Sequence, residues 1–139
     1  MRKSRIAVLL LMLLIAVSCT PAIDDNTSWL RGKGFAGPAT VTTMPHNEVE
    51  ELQQIVIKFD PTGKYELYKM EAKGELKHTY TSSTCKIEGI VVTSEGTEFM
   101  LDIEIKKLPK RKIEYHEKMT SVSRPEAIRT VIGTLNEVM

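Results

Sequence analysis

Two thiols, three imidazoles and a few closely spaced carboxylates are the groups in this chain best suited to chemistry. His46, His78 and His116 stand 32 and 38 residues apart, whereas a zinc site draws on close ligand pairs such as His-x₃₋₅-His. They read as three solvated histidines, and no metal or other cofactor is expected. Glu48, Glu50 and Glu51 form one acidic group, and Asp102 and Glu104 another. A glycosidase needs one carboxyl in an apolar pocket and a partner roughly 5–10 Å away. Residues 102 and 104 instead alternate with apolar neighbours, which places both on the watered face of a strand. No glycine-rich phosphate loop, Gly-x-Ser-x-Gly elbow or acidic metal loop occurs. No catalytic residue is assigned, and the chain is not expected to be an enzyme. Lys106, Lys107, Lys110, Arg111 and Lys112 make one basic cluster, which is either a solvated turn or a contact for anionic headgroups or an acidic polymer. Of the thiols, Cys85 sits among strand-forming residues and reads as a small apolar core residue; a reactive thiol or an intermolecular bridge is the alternative.

Cys19 has a different setting. Arg2, Lys3 and Arg5 precede an uncharged stretch over residues 6–17, a basic and then apolar order of signal-peptide length. A spanning helix needs about 20 apolar residues, more than are present. The stretch ends Ala16-Val17-Ser18-Cys19, which resembles the bacterial lipobox, with Ala16 where leucine is usual. The resemblance covers the first 19 residues. It implies cleavage between Ser18 and Cys19, diacylglycerol on the Cys19 sulfur, and fatty acylation such as palmitate on the new amino group. Two or three acyl chains anchor stably, whereas one alone is marginal. Ordinary secretion with an incidental Cys19 is the competing reading. By analogy with enterobacterial sorting, Thr20 favours the outer membrane.

The organisation expected is therefore a signal peptide over 1–18, a flexible tether over 19–28 and one domain over 29–139. Loss of the leader takes Lys+Arg from 19 to 16 against 18 Asp+Glu, so the mature charge is 16 − 18 = −2. That balance excludes a nucleic-acid footprint, which calls for a strongly basic face. A chain of this length can bury a core without disulfide staples.

The elements that would position these groups read mostly as strands. Residues 29–37 hold Trp29 and three glycines and lead irregularly into a first strand; residues 40–43 are β-branched; residues 46–51 read as a loop or a short helical turn. Ile55, Ile57 and Phe59 alternate, Asp60-Pro61-Thr62-Gly63 turns the chain, and Tyr65 and Leu67 alternate again, which predicts a β-hairpin. Residues 71–77 read as a turn and 78–84 as a strand. A second hairpin runs from 86–93 through Ser94-Glu95-Gly96-Thr97 into Phe99, Leu101, Ile103 and Ile105, and its pairing continues past 108–111 to Ile113 and Tyr115. At the end, Ser123-Arg124-Pro125-Glu126 resembles a capping box, and Ile128, Val131, Ile132 and Leu135 have helical spacing. The same segment alternates as a strand, and Gly133 weakens a helix; a C-terminal helix is the favoured reading.

Seven or eight short strands in succession predict a mainly β fold, an antiparallel up-and-down barrel or sandwich. With Trp29, Gly32 and Gly34 before the first strand, the order is similar to small lipocalin-like lipoproteins, although the usual Gly-x-Trp order is absent. That likeness implies a cavity for a small apolar or amphipathic ligand, lined by Ile57, Phe59, Leu67, Leu101 and Ile103. Two functions are expected: a structural or protein-interaction lipoprotein of the bacterial envelope, with the lipidated Cys19 in the membrane, or a tethered ligand-binding barrel.

Overall fold

The computed structural model describes residues 25–138, so Ser18 and Cys19, the positions of the proposed cleavage and lipidation, lie outside the described residues. A 3-10 turn at Asp25–Thr27 leads into seven strands: β1 (Gly34–Met44), β2 (Glu48–Lys58), β3 (Met70–Tyr80), β4 (Thr84–Thr93), β5 (Glu98–Leu108), β6 (Lys112–Ser121) and β7 (Ile128–Glu137). All ladders are antiparallel in one sheet, in the order β2-β1-β7-β6-β5-β4-β3. Consecutive strands pair except β2 with β3, and the first strand pairs with the last.

The fold is thus mainly β, as alternation and turn residues predict, but the sheet is not closed into a barrel. Its inward residues nonetheless meet in a single cluster that includes Phe35, Val41, Ile57, Ile87, Leu101, Ile113, Tyr115 and Leu135. One sheet can bury one face in this way only by curling on itself, which the right-handed strand twist permits. β5 follows the expected alternation: Leu101, Ile103 and Ile105 are buried, and Met100 and Asp102 face water. The gap between β2 and β3 is filled without a ladder. The N-terminal segment inserts Trp29 and Leu30 into the cluster, and Trp29 Nε1 donates to the Thr81 carbonyl at 3.1 Å. The same segment is stitched to the end of β2, with Gly32 N to Asp60 O at 2.8 Å and Phe59 N to Lys33 O at 2.9 Å.

Several local expectations need correction. The Asp60–Gly63 turn forms, held by Gly63 N to Asp60 O at 2.9 Å and by the Asp60 carboxylate, which accepts from Thr62 and Lys64. The hairpin beyond it does not extend: pairing stops at one bridge between Phe59 and Tyr65, because Tyr65 turns into the core instead of continuing along β2. Residues 71–77 are strand, not turn. Gly74 there, at φ 83°, sits in a bulge where β3 carries two residues more than β4 between the Lys73↔Ile90 and Lys77↔Glu88 pairs. Residues 48–51 belong to β2 and not to a loop or helical turn.

The C-terminal segment is β7, not a helix. Val131 and Leu135 face inward in either conformation, so their spacing could not discriminate. Gly133 between them does: a Cβ there would lie 2.4 Å from the Pro38 carbonyl oxygen and 3.1 Å from Ala39 Cβ. The glycine is used for close approach of β1, whose Pro38 lies at the register irregularity against β2, where a missing N–H is tolerated. Ser123 to Glu126, expected to cap a helix, form the β6–β7 turn, with Arg124 N donating to Ser121 Oγ at 3.1 Å.

Candidate functional site

The curled sheet leaves two edges, β2 and β3, and they differ chemically. An exposed edge offers unpaired N–H and C=O groups to any extended chain, and proteins guard such edges with charge, bulges and twist. β3 is guarded by its bulge and by Glu71, Lys73, Glu75 and Lys77 along its length. β2 splits in two. Residues 48–51 carry Glu48, Glu50 and Glu51, but residues 52–57, Leu-Gln-Gln-Ile-Val-Ile, carry no charge and no proline. A six-residue segment of high β propensity with no charge is the type that recruits another strand.

The side chains around that edge reinforce its character. One extra β2 residue between the Ala39↔Leu52 and Gly37↔Ile55 pairs resets the alternation. Ile55 and Ile57 therefore point to the core, while Val56, 53% exposed, points out. Beyond the Asp60 turn the chain runs back beside this edge and displays Leu67 and Tyr68, the latter 77% exposed. Ile55, Val56 and Lys58 on one side and Glu66, Leu67 and Tyr68 on the other line an open groove of about 600 Å³. Val49, 60% exposed, extends the apolar character toward the acidic half of the strand.

The segment that forms the groove's second wall is pinned from behind. Tyr80 Oη donates to the Gly63 carbonyl at 2.7 Å. Tyr65 N donates to His78 Nε2 at 3.3 Å, while His78 Nδ1 lies 3.3 Å from the Leu76 carbonyl. Both contacts are met by a neutral imidazole with its proton on Nδ1. Burial pulls the His78 pKa below its ordinary value, the carbonyl contact opposing it. Tyr65 reaches across the interior to Tyr115 Oη at 3.2 Å, and Tyr115 donates to Glu117 Oε1 at 2.6 Å. Since the single Tyr115 proton goes to Glu117, Tyr65 must donate to Tyr115. Arg129 closes the chain on Glu117 Oε2 at 3.3 Å. Burial pushes Tyr65 up to about 12 and Tyr115 well above the ordinary phenol value, with the Glu117 charge adding to both. These phenols hold their protons at neutral pH and act as struts.

The five residues proposed to line a ligand cavity are brought together, but in a packed core. Ile57, Phe59, Leu101 and Ile103 are all buried in the cluster, with Phe59 edge-on to Phe35 and Tyr65 at 6.2 and 5.8 Å. Leu67 packs partly on the cluster and lines the edge groove. Cys85 is 0% exposed, and burial pushes its thiol up to about 12, so it is a core residue with little thiolate. Of the three histidines expected to be solvated, His46 in the β1–β2 turn and His116 on the outer face of β6 are exposed, whereas His78 on β3 is half-buried. Among the described residues no group of three or more His, Cys, Asp or Glu could hold a metal ion. Asp102 and Glu104 lie on the outer face of β5, paired in register with Lys118 and His116 on β6. Sequence reasoning missed the polar strut and the edge. Glu117 was the available signal, since it interrupts the inward series Ile113, Tyr115, Met119 and Ser121.

No family model, curated protein or solved structure matches the chain. Among the described residues no helix is long and apolar enough to cross a membrane.

Proposed function

We propose that the chain is a bacterial envelope lipoprotein, anchored through acylated Cys19, whose β domain is a protein-interaction module that accepts an extended segment of a partner along β2. The observation that carries this reading is the uncharged edge at residues 52–57 beside its apolar groove. Strand addition gains affinity from main-chain hydrogen bonds and specificity from the side-chain groove. The partner's chemistry follows from the edge: apolar side chains where Val56, Leu67 and Tyr68 wait, and lysine or arginine opposite Glu48, Glu50 and Glu51. The lipobox residues Ala16 to Cys19 support the location, and the outer membrane is the preferred one.

A photo-crosslinking residue tests it in growing cells. Placed at Val56 in the full chain, it should give a discrete higher-mass adduct. Placed at Met100, similarly exposed but on the interior strand β5, it should not. Val56→Lys should weaken the partner at least about tenfold, while stability stays within about 0.5 kcal/mol, as for most surface changes.

A second reading is favoured by the strand order, an up-and-down meander in which β1 meets β7, similar to lipocalin-like barrels. Here the curled sheet holds a small apolar ligand after Ile57, Phe59, Leu67, Leu101 and Ile103 rearrange. Absence of the Val56 adduct, together with a stoichiometric apolar molecule in native mass spectra of the purified protein, would put this reading first.

A further inference from the structure

The two ends of the sheet carry opposite charge. The strand pairs Gly34↔Lys58, Phe35↔Glu137, Leu108↔Lys112, Thr84↔Lys106 and Tyr80↔Cys85 gather one set of strand ends together. The segments at that rim are 28–33, 59–65, 81–83, 107–112 and 137–138. They hold Arg31, Lys33, Lys64, Lys107, Lys110, Arg111 and Lys112 against Asp60 and Glu137: seven cations to two anions, net +5. The opposite rim, residues 45–48, 68–71, 93–98 and 122–127, holds Lys69 and Arg124 against Glu48, Glu71, Glu95, Glu98 and Glu126: two cations to five anions, net −3.

The basic rim is also where the described chain begins. Lys33, Lys107, Lys110, Arg111 and Lys112 line one groove of about 420 Å³ together with Trp29. Glu137, 3.2 Å from Lys33, offsets one of these charges. Lys110 and Arg111 have φ of 63° and 59°, in a tight turn where Asn-Gly would be less strained. The turn keeps its charge at a conformational cost.

We propose that this rim rests on the bilayer and that its groove takes the phosphates of anionic phospholipid headgroups. The inference rests on the anchored reading of Cys19. Eight residues lie between Cys19 and Ser28, and the nine Cα–Cα steps that join them span at most about 30 Å. The strands are 10 or 11 residues long, about 35 Å, so the tether keeps the basic rim nearest the headgroups and the acidic rim away from them. Near an anionic leaflet each lysine or arginine favours this orientation about fivefold.

Trp29 is the single tryptophan and, buried in the core cluster, forms part of the groove's inner wall, so its quenching reports how near the groove lies to the headgroups. The full lipidated protein is reconstituted into vesicles of phosphatidylcholine alone, or of phosphatidylcholine with equimolar phosphatidylglycerol. Both carry a nitroxide-headgroup lipid that quenches tryptophan. Quenching should be at least about twofold stronger in the anionic vesicles and should fall to the neutral level near 1 M salt, where the screening length is about 3 Å. Lys110→Gln, Arg111→Gln and Lys112→Gln together should lower the ratio of rim-down to other orientations roughly a hundredfold and abolish the difference. If that variant loses its β circular dichroism, Arg111→Gln should still show about a fivefold loss. Equal quenching in both lipids, with the protein co-floating, would overturn the proposal and leave the anchor standing; that is also the outcome if the rim serves an acidic protein instead. Failure of the lipidated protein to co-float would overturn the anchor itself.

Discussion

At the scale of single residues, the clearest chemistry is protective. His78 accepts from Tyr65 N and so must be neutral to hold the groove wall in place. Burial lowers its native pKa below the ordinary 6.5, so the unfolded chain takes up the proton first as the solution is acidified. Stability from this group is complete above about pH 6.5 and is lost as pH falls below that value. The melting temperature should therefore drop between pH 7 and pH 5 by more in the wild type than in His78→Gln. An equal drop in both would remove His78 from the account. Little of this was visible in the sequence, because a histidine in a Thr- and Tyr-rich strand gives no sign of what will stand against it. Cys85 was legible, since its neighbours Ile87 and Val91 already marked a core face.

At the scale of elements, legibility followed periodicity. β4, β5 and β6 pair as read, and β5 and β6 alternate along most of their length because each has one wet and one buried face. β7 was obscured because positions i and i+4 share a face in helix and strand alike. Only its partner β1 resolves it, through the contact at Gly133, which is a tertiary fact. Gly133→Ala must push a methyl against the Pro38 carbonyl, which is backbone and cannot swing away. Overpacking of this kind costs about 1–3 kcal/mol, a fall in Tm of roughly 5–15 °C for a domain of this size, measurable by thermal denaturation. An unchanged Tm would mean that β1 and β7 do not approach so closely. The edge character of β2 was hidden for a related reason: a strand's own sequence does not say whether a neighbour will cover it. The Asp60 turn was read correctly, but the inward capture of Tyr65 by Tyr115 decided that its arms would not zip up.

For the whole molecule, the mainly β class was legible from alternation and turn chemistry. Closure was not, because it depends on whether β2 and β3 meet. Instead, Trp29, Leu30 and residues 59–67 fill the gap, and the sheet keeps an uncharged edge that a closed barrel would lack. The proposed arrangement joins that edge and the basic rim to the lipobox-like residues 16–19, with an acylated end at the membrane and the long side of the sheet turned away from it. The proposal depends first on the Cys19 thiol as the site of the anchor. The most direct measurement is metabolic labelling with radioactive palmitate, followed by membrane fractionation, of the full chain and of Cys19→Ser. The wild type should incorporate label, shorten by its leader and sediment with membranes, whereas Cys19→Ser should take up no label and remain at precursor length. Unlabelled wild-type protein, or a Cys19→Ser variant labelled and processed as before, would contradict the account.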